Sequence, residues 1–90
     1  MSVTINIHKT HRRHVDGSSS VEVEGKTVGQ CLEQLVTQYP ALQEPLFEKK
    51  GKLRNTIEIY VNFESAYPEE LAKPVRDGDE VSITVMLAGG

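Results

Sequence analysis

Apolar residues alternate with polar ones in four stretches of the chain, a period of two that is typical of strands with one buried face. The apolar members of these stretches are Val3, Ile5 and Ile7; Val21 and Val23; Ile57, Ile59, Val61 and Phe63; and Val81, Ile83, Val85 and Leu87. Asp16-Gly17 and Asp77-Gly78-Asp79, which lie between stretches, are turn signals. The pattern predicts four strands, of which the first two form a hairpin with a long loop.

One stretch has the spacing of a helix instead of a strand. Thr27 and Gln30 form a capping-box pattern, in which each side chain bonds a backbone N–H at the helix start. Pro40 ends the helix near Tyr39, because the residue before a proline is pushed out of the helical region. The apolar residues of residues 42–47 are then expected to fold back onto the core. The apolar residues of the predicted helix recur at intervals of three and four and are Val28, Cys31, Leu32, Leu35, Val36 and Tyr39.

The predicted elements follow the order strand, strand, helix, strand, connector, strand. The connector, residues 64–75, contains Pro68 and Pro74 and is therefore not one long regular element. One helix covers one face of a sheet, which fits the alternation of apolar and polar residues in the strands. We expect the first and last strands to lie side by side and parallel at the sheet centre. The pattern predicts an α+β roll, a mixed sheet of about four to five strands with one main helix on one face.

The composition excludes several classes of protein. With 90 residues and a net charge of −3 at pH 7, the chain is expected to be one small domain without bulk attraction to nucleic acid. No apolar run approaches the roughly 20 residues that cross a bilayer, and no signal-peptide pattern follows Met1. Cys31 is the one cysteine, which excludes an intramolecular disulfide and a cysteine cluster for zinc. We therefore expect a cytoplasmic protein that binds neither membranes nor nucleic acid.

Three histidines are the first candidates for chemistry. His8, His11 and His14 lie three residues apart in a segment rich in Lys and Arg. Metal binding needs neutral imidazoles that converge, and the cationic neighbours, with no carboxylate before Asp16, disfavour it. A solvated basic loop without a metal is the favoured interpretation. This loop and a second basic stretch, residues 49–54, are candidates for contact with an acidic partner; neither contains the aromatic residues of a nucleic-acid site.

The lone cysteine is the second candidate. Cys31 is three residues after Val28 and four before Leu35, on the apolar face of the predicted helix. A buried cysteine acts as a small hydrophobe, so a core residue is favoured over a nucleophile or sulfur relay. No Ser/His/Asp arrangement, phosphate-binding loop or pair of catalytic carboxylates is identified. The sequence therefore assigns no catalytic residue.

The last three residues carry the strongest functional signal. Ala88, Gly89 and Gly90 directly follow a predicted strand and extend about 10 Å beyond it. Glycines lack a Cβ and fit a channel that is too narrow for side chains. Such a tail is suited to deliver the Gly90 carboxylate into another protein's active site. We therefore divide the chain into a body, residues 1–87, and a flexible tail, residues 88–90.

Three motifs resemble those of one known family. They are Arg-Asp-Gly-Asp-Glu-Val at 76–81, Ile-Tyr-Val-Asn at 59–62 and the terminal Ala-Gly-Gly. In these motifs the chain resembles the ubiquitin-like sulfur carriers, the family of the molybdopterin synthase small subunit and the thiamine sulfur carrier. Gly-Lys-Leu at 51–53 is similar to the cysteine-biosynthesis carriers of that family. The resemblance implies the β-grasp (ubiquitin-like) fold, in agreement with the predicted roll.

The resemblance also implies a function centred on Gly90. In the family, an E1-like adenylating enzyme uses ATP to convert the terminal carboxylate to an acyl-adenylate, and a sulfur donor replaces AMP to leave a thiocarboxylate. A sulfur-accepting synthase receives the sulfur, and some members are first trimmed after Gly-Gly by a metallopeptidase. The chain is then a carrier and not an enzyme, and it binds no cofactor of its own. Family members often have prolines before the tail, and residues 84–87 have none, so delivery to an amino acid (cysteine or homocysteine) and to a cofactor (molybdopterin or thiamine) both stay open.

Strand parity indicates where partners dock. If the aliphatic residues of the last strand face the helix, then Tyr60, Thr84 and Met86 lie on the opposite face near the tail, where an exposed Met and Tyr suit a partner.

Two other functions would use the same fold. One is a protein modifier that forms an isopeptide bond through Gly90, and the other is a ubiquitin-like interaction domain whose glycines do no chemistry.

Overall fold

Five strands form one mixed sheet in the computed structural model, which describes residues 2–49 and 51–86. The strands are β1 (Val3–Asn6), β2 (Ser20–Val23), β3 (Ile57–Val61), β4 (Glu64–Ser65) and β5 (Glu80–Val85). Their order across the sheet is β2-β1-β5-β3-β4. β1 and β5 are parallel neighbours, and the other pairs are antiparallel. The predicted hairpin of the first two strands and the predicted parallel pair of the first and last strands are both confirmed.

The helix α1 (Val28–Gln38) begins and ends where the sequence predicts. Thr27 is the N-cap, and its Oγ1 accepts a hydrogen bond from the Gln30 N–H at 3.1 Å. The Gln30 side chain bonds back to the N–H of Lys26, at 2.8 Å, one residue earlier than in a standard capping box. Tyr39 is the C-cap, directly before Pro40. Both ends of the helix are therefore fixed by local chemistry.

The core lies between α1 and one face of the sheet. The buried side chains of α1 pack against the alternate residues of the strands, so the opposite face of the sheet stays uncovered. Leu42 and Leu46, from a 3-10 helix (Pro40–Leu42) and the short helix α2 (Gln43–Leu46), fold back into this core as predicted. The residues with no exposed surface are Val3, Ile5, Val15, Val28, Cys31, Leu32, Leu35, Leu42, Leu46 and Val81.

The third strand is shorter than predicted. β3 ends at Val61, and Phe63, which the alternation places among the buried residues, is 76% exposed. Asn62 and Phe63 have φ of 50° and 69° and form the two-residue turn into β4. Two central residues with positive φ match the right-handed twist of paired strands, so the chain turns here and continues as a hairpin. The prediction of a strand through Phe63 is wrong.

The connection between β1 and β2 is also more ordered than predicted. A 3-10 helix spans Lys9–Val15. Its Val15 side chain has no exposed surface, and His11 is only 8% exposed. Val15 belongs to the core cluster, and burial of both side chains holds the segment against the body. The prediction of a solvated loop is therefore wrong for His11, although Lys9, Arg12 and Arg13 are exposed.

The helix cap gives the first testable prediction. Thr27→Ala is expected to lower the free energy of unfolding by about 1 kcal/mol, because the Gln30 N–H loses its acceptor. Urea titration followed by circular dichroism measures the change. Thr37→Ala is the control: Thr37 is exposed within α1, and its hydroxyl bonds only the preceding turn at Glu33. Equal losses in the two variants would contradict the role of the cap.

Candidate functional site

The predicted tail continues from the central strand of the sheet. Ala88, Gly89 and Gly90 lie outside the described residues, as does the predicted boundary after residue 87. β5 lies between β1 and β3, and directly after it the Met86 N–H donates to the Thr56 carbonyl oxygen at 2.6 Å. Backbone pairing therefore holds the chain up to Met86. We call the end of the sheet at which β1 and β5 finish and β3 begins its carboxyl end, and the other its opposite end.

A hydrogen-bond network fixes β5 at the opposite end of the sheet. Asp79 accepts from the Asn62 side-chain amide at 3.0 Å and from the Arg76 N–H at 2.8 Å. The side-chain oxygen Oδ1 of Asn62 accepts in turn from the Glu80 N–H at 3.0 Å. These bonds favour the ionised form of Asp79 and lower the pKa of its carboxyl group, the Asn62 bond most. With Gly78 at φ 88°, the Asp-Gly-Asp motif is a structural turn, as predicted.

Tyr60, Thr84 and Met86 lie on the uncovered face, and Tyr60 and Thr84 are half-buried. Tyr60 pairs with Ser82, and Thr84 pairs with Glu58. The Thr84 hydroxyl donates to the Glu58 backbone carbonyl oxygen at 3.2 Å. The Tyr60 hydroxyl donates to the Glu58 carboxylate at 3.3 Å. Met86 is 48% exposed. The three residues form a strip along β3 and β5 rather than a compact patch, because the pairs of Tyr60 and Met86 are four residues apart, roughly 13 Å along the strand.

Two exposed aromatic residues were missed by the sequence reasoning. Tyr67 is 77% exposed and follows by two residues Ser65, the cross-strand partner of Tyr60. Phe63 is at the tip of the β3–β4 turn, at the opposite end of the sheet from Met86. Asn before Phe63 was the available signal, because Asn adopts positive φ more readily than most residues. No comparable signal marks Tyr67 as exposed.

The histidines do not form a metal site. Within residues 2–49 and 51–86, no three His, Cys, Asp or Glu side chains are placed to hold an ion. The rings of His8 and His11 meet edge to face, with centroids 6.3 Å apart, and the buried Nδ1 of His11 has no hydrogen-bond partner. Burial lowers the pKa of His11, and electrostatic interaction with His8, His14 and Arg13 lowers it further. His11 is therefore a neutral core residue at the base of a cationic segment.

Cys31 is enclosed by the core, as predicted. Its side chain has no exposed surface, and a Cβ added to Gly25 would lie 2.9 Å from its Sγ. Burial raises the pKa of the thiol, which keeps it protonated at neutral pH. A protonated thiol covered by backbone is a poor nucleophile, so Cys31 contributes packing.

His11 gives a prediction about pH. Because its pKa is below 6.5 in the folded protein, the unfolded chain binds the proton more readily. The free energy of unfolding is therefore expected to fall as the pH drops below 6.5 toward the lowered pKa of the folded state. His11→Phe removes this titration and is expected to flatten the pH dependence between neutral pH and about pH 5.

Urea titrations at several pH values measure this slope. Val15→Ala is the control, since it weakens packing of the same 3-10 helix and leaves His11 in place. Val15→Ala is expected to lower stability at every pH and to keep the slope. An unchanged slope in His11→Phe would show that the buried imidazole does not cause it.

Comparison with known proteins adds three likenesses and a family. The model of the ThiS family matches residues 9–90. The chain is 37% identical over 93 residues to the sulfur carrier protein CysO of Mycobacterium tuberculosis, with all of both chains covered. A chain of the crystal structure of the Amycolatopsis orientalis BexX/CysO complex is similar at a TM-score of 0.88 and 32% identity, with 98% and 99% of the two chains covered. SAMP1 from Haloferax volcanii has a TM-score of 0.87 at 29% identity, with both chains covered completely. These likenesses confirm the β-grasp architecture.

Among the described residues, no helix has the length and apolar character needed to span a membrane.

Proposed function

Because the chain belongs to the ThiS family of ubiquitin-like sulfur carriers, we propose that it carries sulfur as a thiocarboxylate on Gly90. One observation supports this above the others. Gly90 comes four residues after Met86, which directly follows the central strand β5, so the carboxylate is close in sequence to a strand that is paired on both sides. The protein itself acts as a cosubstrate, and its partners supply the catalytic groups.

The chemistry begins with a poor electrophile. An oxygen of the Gly90 carboxylate attacks the α-phosphorus of ATP on an E1-like adenylating enzyme, and pyrophosphate leaves. A sulfur donor then attacks the acyl carbon, and AMP takes the electron pair of the broken C–O bond. With a persulfide as the donor the product is an acyl disulfide, and a thiol then attacks the donor-side sulfur to form a mixed disulfide. The electron pair of the broken S–S bond stays on the acyl sulfur, so Gly90 ends in a thiocarboxylate, a soft nucleophile for an acceptor in a synthase. ATP is bound by the partner and not by this chain.

The body holds the strand that leads into the tail in a fixed position relative to the surface that a partner would bind. Pairing of Met86 with Thr56 and of Val85 with Ile57 holds the chain until four residues from its end. A partner that binds the strip of Tyr60, Thr84 and Met86 is thereby within reach of the tail, which spans about 10 Å at 3.3–3.6 Å per residue. Docking and delivery of the carboxylate are therefore coupled by geometry.

For the pathway, we favour delivery of sulfur to an amino acid. Gly51-Lys52-Leu53, which resembles the cysteine-biosynthesis carriers, forms a tight turn in which the Gly51 N–H donates to Glu48 at 2.9 Å. The likeness to relatives named sulfur carrier protein CysO supports this choice. The absence of proline at residues 84–87 fits this choice better than molybdopterin synthesis. A metallopeptidase that trims a longer precursor to Gly90 is compatible with either pathway.

A protein modifier is the second candidate. The likeness to SAMP1, named a small archaeal modifier protein, supports it, because both functions require activation of the same terminal carboxylate. They differ in the group that attacks the acyl-adenylate. A sulfur nucleophile gives a carrier, whereas a lysine amine gives a stable isopeptide bond.

Intact-mass spectrometry separates these functions. Incubation of the chain with an E1-like adenylating enzyme, ATP and a sulfur donor is expected to add the mass difference between sulfur and oxygen. Deletion of Gly90 moves the carboxylate out of reach and is expected to abolish the gain. Cys31→Ala is the control and keeps the gain, because the buried thiol takes no part. A gain that survives deletion of Gly90 would refute the proposal, and conjugates that resist reducing agents would favour the modifier.

The docking strip has its own prediction. Met86→Asp is expected to weaken binding of the adenylating enzyme about tenfold, because it puts a charge into the apolar centre of the interface. Isothermal titration calorimetry measures the affinity. Phe63→Asp is the matched control, an equally drastic change of an exposed apolar residue at the opposite end of the sheet, and it leaves affinity unchanged. Equal losses in both variants would exclude a docking site confined to the strip.

A further inference from the structure

Cations gather at the carboxyl end of the sheet. Seven of the ten Lys and Arg residues lie in residues 9–13 and 49–54. The first segment follows β1, which runs parallel to β5, and the second precedes β3, which runs antiparallel to it. Both segments therefore lie where β5 finishes. The fold brings together at the base of the tail two basic segments that are distant in sequence.

The described cations of these segments face solvent. In the part of the chain that the structure describes, none of them forms an ion pair. Two of the arginines bond backbone carbonyl oxygens through Nε, Arg12 that of Ile7 and Arg54 that of Glu44, which fixes the two guanidinium groups on the surface. The exposed cations of the two segments are Lys9, Arg12, Arg13, Lys49, Lys52 and Arg54.

Carboxylates gather at the opposite end. The turn before β5 and the first residue of β5 are acidic, and acidic residues also follow the ends of β2 and β3. The acidic residues there are Glu24, Glu64, Asp77, Asp79 and Glu80. β5 has six residues and so separates the two charged ends by roughly 20 Å. Although the net charge is −3, the molecule has a charge dipole along the strand axis, with its positive end at the tail.

We propose that the carboxyl end of the sheet binds an acidic protein surface around the tail-binding channel of the adenylating enzyme. The proposal rests on the proposed function, because it names the surface that receives the tail. The basic segments lie at the same end of the sheet as the exposed Met86, and a polar rim beside an apolar centre is the usual composition of a protein interface. The dipole turns the approaching carrier so that its tail points toward the acidic surface.

An acidic protein fits this end better than a nucleic acid. Neither basic segment contains Phe, Tyr or Trp for stacking on bases, and the acidic end of the molecule repels a long polyanion. The acidic surface of a protein partner is confined to one region, so it attracts the positive end without meeting the negative one.

Paired charge reversals test the proposal. Lys49→Glu with Lys52→Glu changes the carboxyl end, and Lys26→Glu with Arg76→Glu is the control with the same change in net charge far from the tail. The Lys49 and Lys52 side chains make no hydrogen bond among the described residues, so folding is preserved. Arg12 and Arg54 are left intact because they bond the backbone.

Binding of the adenylating enzyme is measured by titration at low and high salt, and adenylation is measured as pyrophosphate release. The Lys49/Lys52 variant is expected to bind about tenfold more weakly, with lower kcat/KM, little change in kcat and a smaller salt dependence. The Lys26/Arg76 control has the same net charge and is expected to lose affinity only through bulk repulsion. Its loss is therefore expected to be smaller than that of the Lys49/Lys52 variant. Equal effects of the two variants would overturn the proposal.

The outcomes also separate this proposal from the proposed function. Salt-dependent binding through Lys49 and Lys52 without any thiocarboxylate on Gly90 would support the docking surface and refute the sulfur chemistry. A thiocarboxylate that forms equally well in both variants would support the sulfur chemistry and refute the docking surface. Failure of the enzyme to bind the wild-type chain, or tighter binding of a double-stranded DNA oligonucleotide through the same lysines, would overturn the docking proposal.

Discussion

The parallel pairing of β1 with β5 is the constraint on which the other features depend. It places the last strand at the sheet centre, with Ile5 opposite Val81 and both side chains buried beneath α1. Chain ends are usually poorly ordered, but here β5, which ends five residues before Gly90, is held by two neighbouring strands and by the core. The chemistry proposed for the terminus therefore has a fixed base.

The same register decides which residues lie on the uncovered face of the sheet. Because side chains alternate across a strand, burial of Val81 and Ile83 forces Ser82, Thr84 and Met86 onto the uncovered face. A parallel neighbour also sends the segment after β1 to the end of the sheet where β5 finishes. The placement of the strip, of the basic segments and of the base of the tail thus follows from one pairing.

Local rules predicted the elements whose signals lie close together in the sequence. The Thr27–Gln30 cap, the stop at Pro40 and the burial of Cys31 each depend on residues within one helix, and all are confirmed. The alternation failed at Phe63, because period two continues through a turn whose residues happen to be polar and apolar in the right order. It also missed the burial of His11, since a 3-10 helix of seven residues has too little apolar periodicity to reveal its inner side.

Features that depend on two distant segments were beyond reach of the pattern alone. Each basic segment was visible in the sequence, but their meeting at the carboxyl end required the strand order β2-β1-β5-β3-β4. The net charge of −3 is misleading here, because it does not reveal that one end of the molecule is positive. A protein of 90 residues has a small interior filled by packed side chains, so the recognition we propose depends on how charge and exposed apolar surface are placed around the terminus.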